Sequence, residues 1–119
     1  MDDYATYHRA WKKEWESERK RVEQRRHQAI AEAERLAHIL VDEYGASRVI
    51  LFGSASGSRD FTESSDIDIA VEGLAKERFF EVSGRLMDAS RFAVDLKAIE
   101  DLEPFVLTRV YRGMTLYEA

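Results

Sequence analysis

Apolar residues return every three or four positions through Ala29, Ile30, Ala33, Leu36, Ala37, Leu40, Val41 and Tyr44, the spacing that gathers one face of an α-helix. From Asp3 to Tyr44 the chain has neither proline nor glycine and strong helix formers dominate, so one long helix is predicted, stopped by Gly45. Upstream the pattern changes. Between Glu16 and Gln28, Val22 is the only aliphatic residue among dense charges, and pairs such as Glu16 with Lys20 and Glu18 with Arg21 are expected to solvate an exposed rod. Further upstream Tyr4, Tyr7 or His8, Trp11 and Trp15 recur at three- and four-residue steps and form an aromatic face. A continuous helix of about 40 residues would run ~60 Å at 1.5 Å per residue. The remaining residues can build a body only about half that across. The aromatic end must therefore either project, where tryptophans want another surface to cover them, or break and fold back onto the core.

Beyond Gly45 the period shortens. Arg48 to Phe52 is a β-branched and aromatic run of strand length. Gly53 to Ser65, rich in Gly and Ser, reads as a loop holding at most one helical turn. Asp66 to Val71 alternates, with Ile67, Ile69 and Val71 on one face and Asp66, Asp68 and Ala70 on the other. Ala75 to Ala89 is amphipathic, with Phe79, Phe80, Val82, Leu86 and Met87 as the expected buried side. Phe92 to Ile99 reads as a third strand, placing Asp95 and Lys97 together opposite Val94 and Leu96. Pro104 can open a closing helix over Leu102 to Tyr111 without losing a hydrogen bond. Gly113 ends it, and Met114, Leu116 and Tyr117 are expected to tuck back onto the body. The order helix-strand-loop-strand-helix-strand-helix predicts an α/β (α+β) fold, a small sheet covered by helices. Residues 1-45 form the long helix and 46-119 the core.

At 119 residues, 45% of them hydrophobic, the chain is long enough for one domain with a real core. Its apolar runs fall far short of the ~20 residues of a membrane span, and its start lacks the pattern of an export signal. A cytoplasmic location without membrane contact is the expectation. With no cysteine, disulfides and thiolate zinc sites are excluded. The net charge of -5 argues against direct binding to nucleic acid. It does not exclude a nucleotide, because a divalent cation can bridge acidic side chains to a triphosphate.

Three carboxylates and one turn carry the candidate chemistry. Asp66 and Asp68, one strand residue apart, leave the same face about 6.6 Å apart along the chain and can reach one metal ion or a close pair. Asp95 lies centrally in a Phe-Ala-Val-Asp-Leu run, where a solvated loop aspartate is not expected. Gly53 directly follows a strand, so its missing side chain lets phosphate approach the backbone. Ser54 can donate a hydroxyl, and Arg59 could neutralise phosphate charge from within the loop. Asp60 and Glu63 read as loop surface. The turn has no Gly-Lys-Ser/Thr ending and is not a Walker A loop. His8, His27 and His38 share the first helix without a ligand cluster, and His38 is expected to be partly buried there.

Phe52-Gly53-Ser54, a spacer, then Ser65-Asp66-Ile67-Asp68-Ile69-Ala70-Val71 resembles the signature of the polymerase-β-like nucleotidyltransferases, most closely their minimal (MNT) family. The third family carboxylate falls on Asp95 in Val94-Asp95-Leu96, and Arg112-Gly113-Met114-Thr115-Leu116-Tyr117-Glu118 resembles how these small proteins close. The similarity spans roughly Val49 to Glu118, with Ala55 standing where the family often has arginine. It implies a mixed sheet flanked by helices. Asp66 and Asp68 would bind Mg2+ that holds ATP or another nucleoside triphosphate, Asp95 would complete a two-metal site and help activate the attacking hydroxyl, and Gly53 and Ser54 would hold the β/γ-phosphates. The resemblance also implies an all-helical HEPN-type partner, for which such proteins serve as antitoxins, some by moving AMP onto a tyrosine. The Tyr4/Trp11/Trp15 face fits a hetero-oligomer. A homodimer of paired long helices, and an antitoxin that neutralises its partner by binding alone, are the competing readings.

Overall fold

The computed structural model describes residues 2–57 and 60–119, with side chains from residue 5 onward. Helix α1 runs unbroken from Asp2 to Tyr44, 43 residues, which at 1.5 Å per residue is about 65 Å. The molecule is correspondingly elongated, 68 × 29 × 22 Å. The aromatic end therefore projects and does not fold back. Gly45 stops the helix as its position predicts: it takes φ +71°, its N–H donates to Val41 O, and the Ala46 N–H donates to Leu40 O. These two bonds satisfy carbonyls that the helix end leaves open.

Strands β1 (Arg48–Phe52), β2 (Ile67–Glu72), β3 (Val94–Ala98) and β4 (Met114–Glu118) form one mixed sheet in the order β3-β2-β1-β4. β1 pairs antiparallel with both β2 and β4, and β2 pairs parallel with β3. Helices α2 (Phe79–Ala89) and α3 (Pro104–Tyr111) make the remaining connections. The segment expected to tuck back is β4, an edge strand. Its ladder with β1 carries an irregularity between Val49 and Ile50, and strand pairing satisfies backbone groups that simple docking would leave open.

The two sheet faces bury different cores. On one, Ala29, Ala33, Leu36 and Leu40 of α1 and Val82 and Leu86 of α2 pack against Val49, Leu51, Ile67, Ile69, Val94 and Leu96. On the other, Ile50, Phe52 and Ala70 meet Ile99 and Val110, with Val106 and Leu107 of α3 alongside. Glu32 ties α1 to the α2–β3 connection, accepting from Arg35 and from Ser90 Oγ at 3.0 Å. In α2, Phe79, Val82 and Leu86 point inward, but Phe80 is 88% exposed and Met87 is exposed too, against expectation. At 100° per residue Phe80, Gly84 and Met87 fall on a neighbouring stripe that no other element among the described residues covers. His38 likewise lies on the solvent side of α1, exposed and not partly buried.

Candidate active site

The strand alternation read from the sequence decides which side chains reach the site. Because Ile67 and Ile69 face the larger core, Asp68 must leave the opposite face; Val94 and Leu96 do the same for Asp95. The parallel register pairs Asp68 directly with Asp95 and Ile67 with Val94. Two half-buried carboxylates thus stand side by side on strands about 4.8 Å apart. Asp66 lies one residue before β2, exposed at the strand entrance. Lys97, two residues along the same face of β3, holds Asp95 through a 3.3 Å ion pair.

β1 delivers Gly53 to the same end of the sheet, since Phe52 is in register with Asp68. Gly53 adopts φ +73°, and a Cβ there would collide with the Asp68 Oδ2 atom. Any other residue would be strained in this left-handed backbone and would require the Asp68 carboxylate to shift. Residues Gly53–Ser56 form a single 3₁₀ turn, closed by Ser56 Oγ donating to Gly53 O at 2.8 Å and by the Gly57 N–H donating to Ser54 O. Ser54 is 2% exposed and sits beneath the turn, whereas Gly53 is half-buried at its edge. Arg59 and the Tyr4 side chain lie outside the described residues.

A cleft of about 360 Å³ opens beside Asp66 and Asp68, lined by these two with Asp60, Thr62, Ser64 and Ser65; Asp95 is not among its lining residues. Its hydroxyls were not singled out from the sequence. Thr62 to Ser65 forms a turn in which the Thr62 N–H donates to Ser65 Oγ at 2.9 Å and the Ser65 N–H donates to Thr62 O at 3.1 Å. The Thr62 hydroxyl lies 3.2 Å from Ser64 Oγ and 3.3 Å from Ser65 Oγ. The signal that could have found it is the run Thr-Glu-Ser-Ser immediately before Asp66, because Ser and Thr side chains close turns on their own backbone.

The lip of this cleft is fastened to α1. Arg19 donates to both carboxylate oxygens of Asp60, at 2.9 and 3.2 Å, and Arg25 reaches Glu63 at 3.4 Å. The Arg19 hydrogen bonds hold the Asp60 carboxyl below its usual range and raise the guanidinium. Between them Phe61 is fully buried, its ring 6.0 Å from that of Phe92. The charged middle of α1 is therefore not a bare rod: part of it holds the site loop.

In this conformation no group of three or more Asp, Glu, His or Cys side chains is close enough to form a metal site among the described residues. The donor chemistry nevertheless suits a hard cation. Asp68 and Asp95 are neighbouring oxygen donors, Asp66 stands at the same strand end, and no soft ligand is nearby.

A family model described as "Polymerase beta, Nucleotidyltransferase" matches residues 34–119. No curated protein matches the chain by sequence. Among solved structures, a chain of a toxin–antitoxin complex with AMP-PNP superposes with a TM-score of 0.61 at 26% identity, over 72% of this chain and 73% of that one. A chain of a mutant MntA toxin–antitoxin complex gives 0.60 at 27%, over 71% of each. A chain from the tri-AMPylated Shewanella oneidensis HEPN toxin in complex with MNT antitoxin gives 0.59 at 24%, over 76% of this chain and 73% of that one, a likeness of fold. No helix among the described residues is long and apolar enough to cross a membrane.

Proposed function

The chain belongs to the polymerase beta nucleotidyltransferase family, and from that premise we propose that it is a magnesium-dependent adenylyltransferase that moves AMP from ATP onto a hydroxyl of a helical HEPN-type protein and so serves as its antitoxin. The observation that carries this reading is the register of Asp68 with Asp95 beneath a glycine turn that closes on Asp68. It is supported by likeness to chains solved in toxin–antitoxin complexes, one of them with AMP-PNP and another with an AMPylated HEPN toxin.

In the reaction, the acceptor oxygen forms a bond to the α-phosphorus, the bond to the bridging oxygen breaks, and pyrophosphate leaves. Asp66, Asp68 and Asp95 would hold Mg2+, which when bound supplies charge neutralisation on the phosphoryl oxygens. Asp95 would also help activate the acceptor hydroxyl and take its proton. Lys97, paired with Asp95 at 3.3 Å, would be a cation near phosphate oxygens held at that carboxylate. Gly53 would give the triphosphate access to the turn backbone, with Arg59 as a further phosphate contact; Ser54, buried beneath the turn, would support it from below, and the Thr62, Ser64 and Ser65 hydroxyls line the cleft beside Asp66 and Asp68. Residues 46-119 would carry the site, with the inner part of α1 packed against their sheet. The outer part of residues 1-45, with Tyr4, Trp11 and Trp15, is assigned to the partner or, failing that, to a homodimer.

A second reading has a specific observation behind it. Trp11 and Trp15 are 57% and 55% exposed on the projecting arm, an aromatic pair suited to covering a partner's surface without chemistry. Mass spectrometry of the HEPN-type protein, co-expressed with this chain or with its Asp66→Ala/Asp68→Ala form, separates the two. One adenylyl group or more, added only by the intact chain, is the expected result. An unmodified partner that co-purifies in a tight complex would replace the enzyme by the binding antitoxin.

A further inference from the structure

The cleft before Asp66 and Asp68 is not closed at its outer end. Thr62 and Ser64 line it and also line a second depression of about 470 Å³, whose other wall is Arg21, Val22 and Arg25 of α1. Glu18 and Arg21 belong in turn to a third depression, of about 820 Å³, beside Trp11 and Trp15. The three share residues end to end. They form a row of adjoining depressions that begins at the exposed tryptophans on α1 and ends at Asp66 and Asp68. We infer that this groove is the acceptor track: a polypeptide segment of the partner docks on Trp11 and Trp15 and lies along Glu18, Arg21 and Arg25, which brings its hydroxyl side chain to Asp66 and Asp68. The inference rests on the transferase reading above and adds where the acceptor enters.

Length, charge and anchoring select the occupant. From Trp11 to Arg25 is fourteen residues of helix, about 21 Å at 1.5 Å per residue, a span that an extended segment of about six or seven residues covers. The groove mixes signs, Glu18 and Glu63 against Arg21 and Arg25, and ends at acidic Asp60 and Asp66. That pattern can pair with a polypeptide's own mixed charges and repels a continuous phosphate backbone. The Glu18–Arg21 pair spans 3.2 Å with both side chains more than half exposed, so it holds its partners weakly and they are available to an incoming chain. The tryptophans are suitable anchors at the open end. The far wall is held in place by Arg19, which binds both oxygens of Asp60, while the 3.4 Å Arg25–Glu63 pair, with Glu63 largely exposed, is as open to an incoming chain as the Glu18–Arg21 pair. All of this wall on α1 lies upstream of residue 34, outside the segment that matches the family. An acceptor track there would belong to this chain and not to the common core.

The test uses the full chain and the HEPN-type protein as acceptor. Glu18→Arg/Arg21→Glu keeps an intrahelical pair while reversing the groove's charges, and Trp15→Ala removes an anchor; circular dichroism checks that both remain helical. The KM for the acceptor should rise about tenfold or more in each, while kcat and the Kd for a fluorescent ATP analogue stay within about twofold. An unchanged acceptor KM in both variants overturns the track. So does a parallel rise in the ATP-analogue Kd, which would assign the groove to the nucleotide, and so does transfer to RNA and not protein. If the wild-type chain transfers nothing, the transferase reading fails separately. Hydrogen exchange in the complex then decides the groove: protection over residues 11–25 keeps it as a docking surface, and none there removes it.

Discussion

Replacing Gly53 by alanine tests the contact on which the site turns. Gly45 and Gly53 adopt nearly the same left-handed backbone, φ +71° and +73°, but differ in what a Cβ would meet. At Gly45 nothing lies within 4 Å; at Gly53 the methyl runs into the Asp68 carboxylate. Alanine in this conformation costs about 1–2 kcal/mol from its own backbone, which lowers the melting temperature of a domain this size by about 5–15 °C. Gly45→Ala should show that loss and keep full transfer. Gly53→Ala should lose at least as much and also lose transfer, because the Asp68 carboxylate must shift from its place. Adding Asp68→Ala removes the collision, so Gly53→Ala should cost less stability in that background. The assay is chemical denaturation of the four proteins of the Gly53/Asp68 cycle, beside Gly45→Ala, with AMP transfer measured in parallel. Additivity within about 0.5 kcal/mol would refute the proposed contact, and retained transfer in Gly53→Ala would refute its importance to the site.

Two further outcomes follow from burial and charge. Leu36→Ala, at a fully buried position in the larger core, should cost about 2–5 kcal/mol, while Phe80→Ala on the open stripe of α2 should stay within about 0.5 kcal/mol; denaturation midpoints that reverse this order would contradict the packing described. Asp60 has its pKa lowered by Arg19, so the tie between lip and helix is fully present above the unfolded carboxylate value of about 4 and is lost as pH falls through the lowered folded value. Hydrogen exchange at Phe61 and Thr62 should therefore be insensitive to this group from pH 8 to 5 once corrected for intrinsic rates, and loss of protection within that range specific to the wild type and absent in Asp60→Asn would contradict it.

Local pattern was sufficient for a good part of the molecule. The three- and four-residue recurrence from Ala29 to Leu40 names the face of α1 that is buried, and the alternation through Ile67 and Ile69 decides that Asp68 leaves the opposite side. Asp95 was legible for the same reason, since Val94 and Leu96 commit its neighbours to the core. These readings succeed because each depends only on periodicity within one element. Gly45 was readable as a stop because a glycine after a helical run supplies the left-handed residue that helix ends use.

What the sequence by itself could not decide involves partners distant along the chain. Phe80 and Phe79 are equivalent in composition, and only the docking of α2 leaves one of them uncovered. Met114 to Glu118 has no strong strand pattern; it becomes β4 because the open edge of β1 offers it a ladder. Arg19 and Asp60 are 41 positions apart, so no local period links them, and the charged stretch of α1 read as solvated surface until the loop was placed against it. The sequence alone therefore determined the elements, their inward faces and the carboxylates that one strand end presents. Tertiary structure alone decided that Asp68 stands beside Asp95 under Gly53, and that α1 forms a wall of the cleft. Side-chain direction within a helix or strand is set by backbone geometry, whereas juxtaposition is set by which surfaces exclude water together.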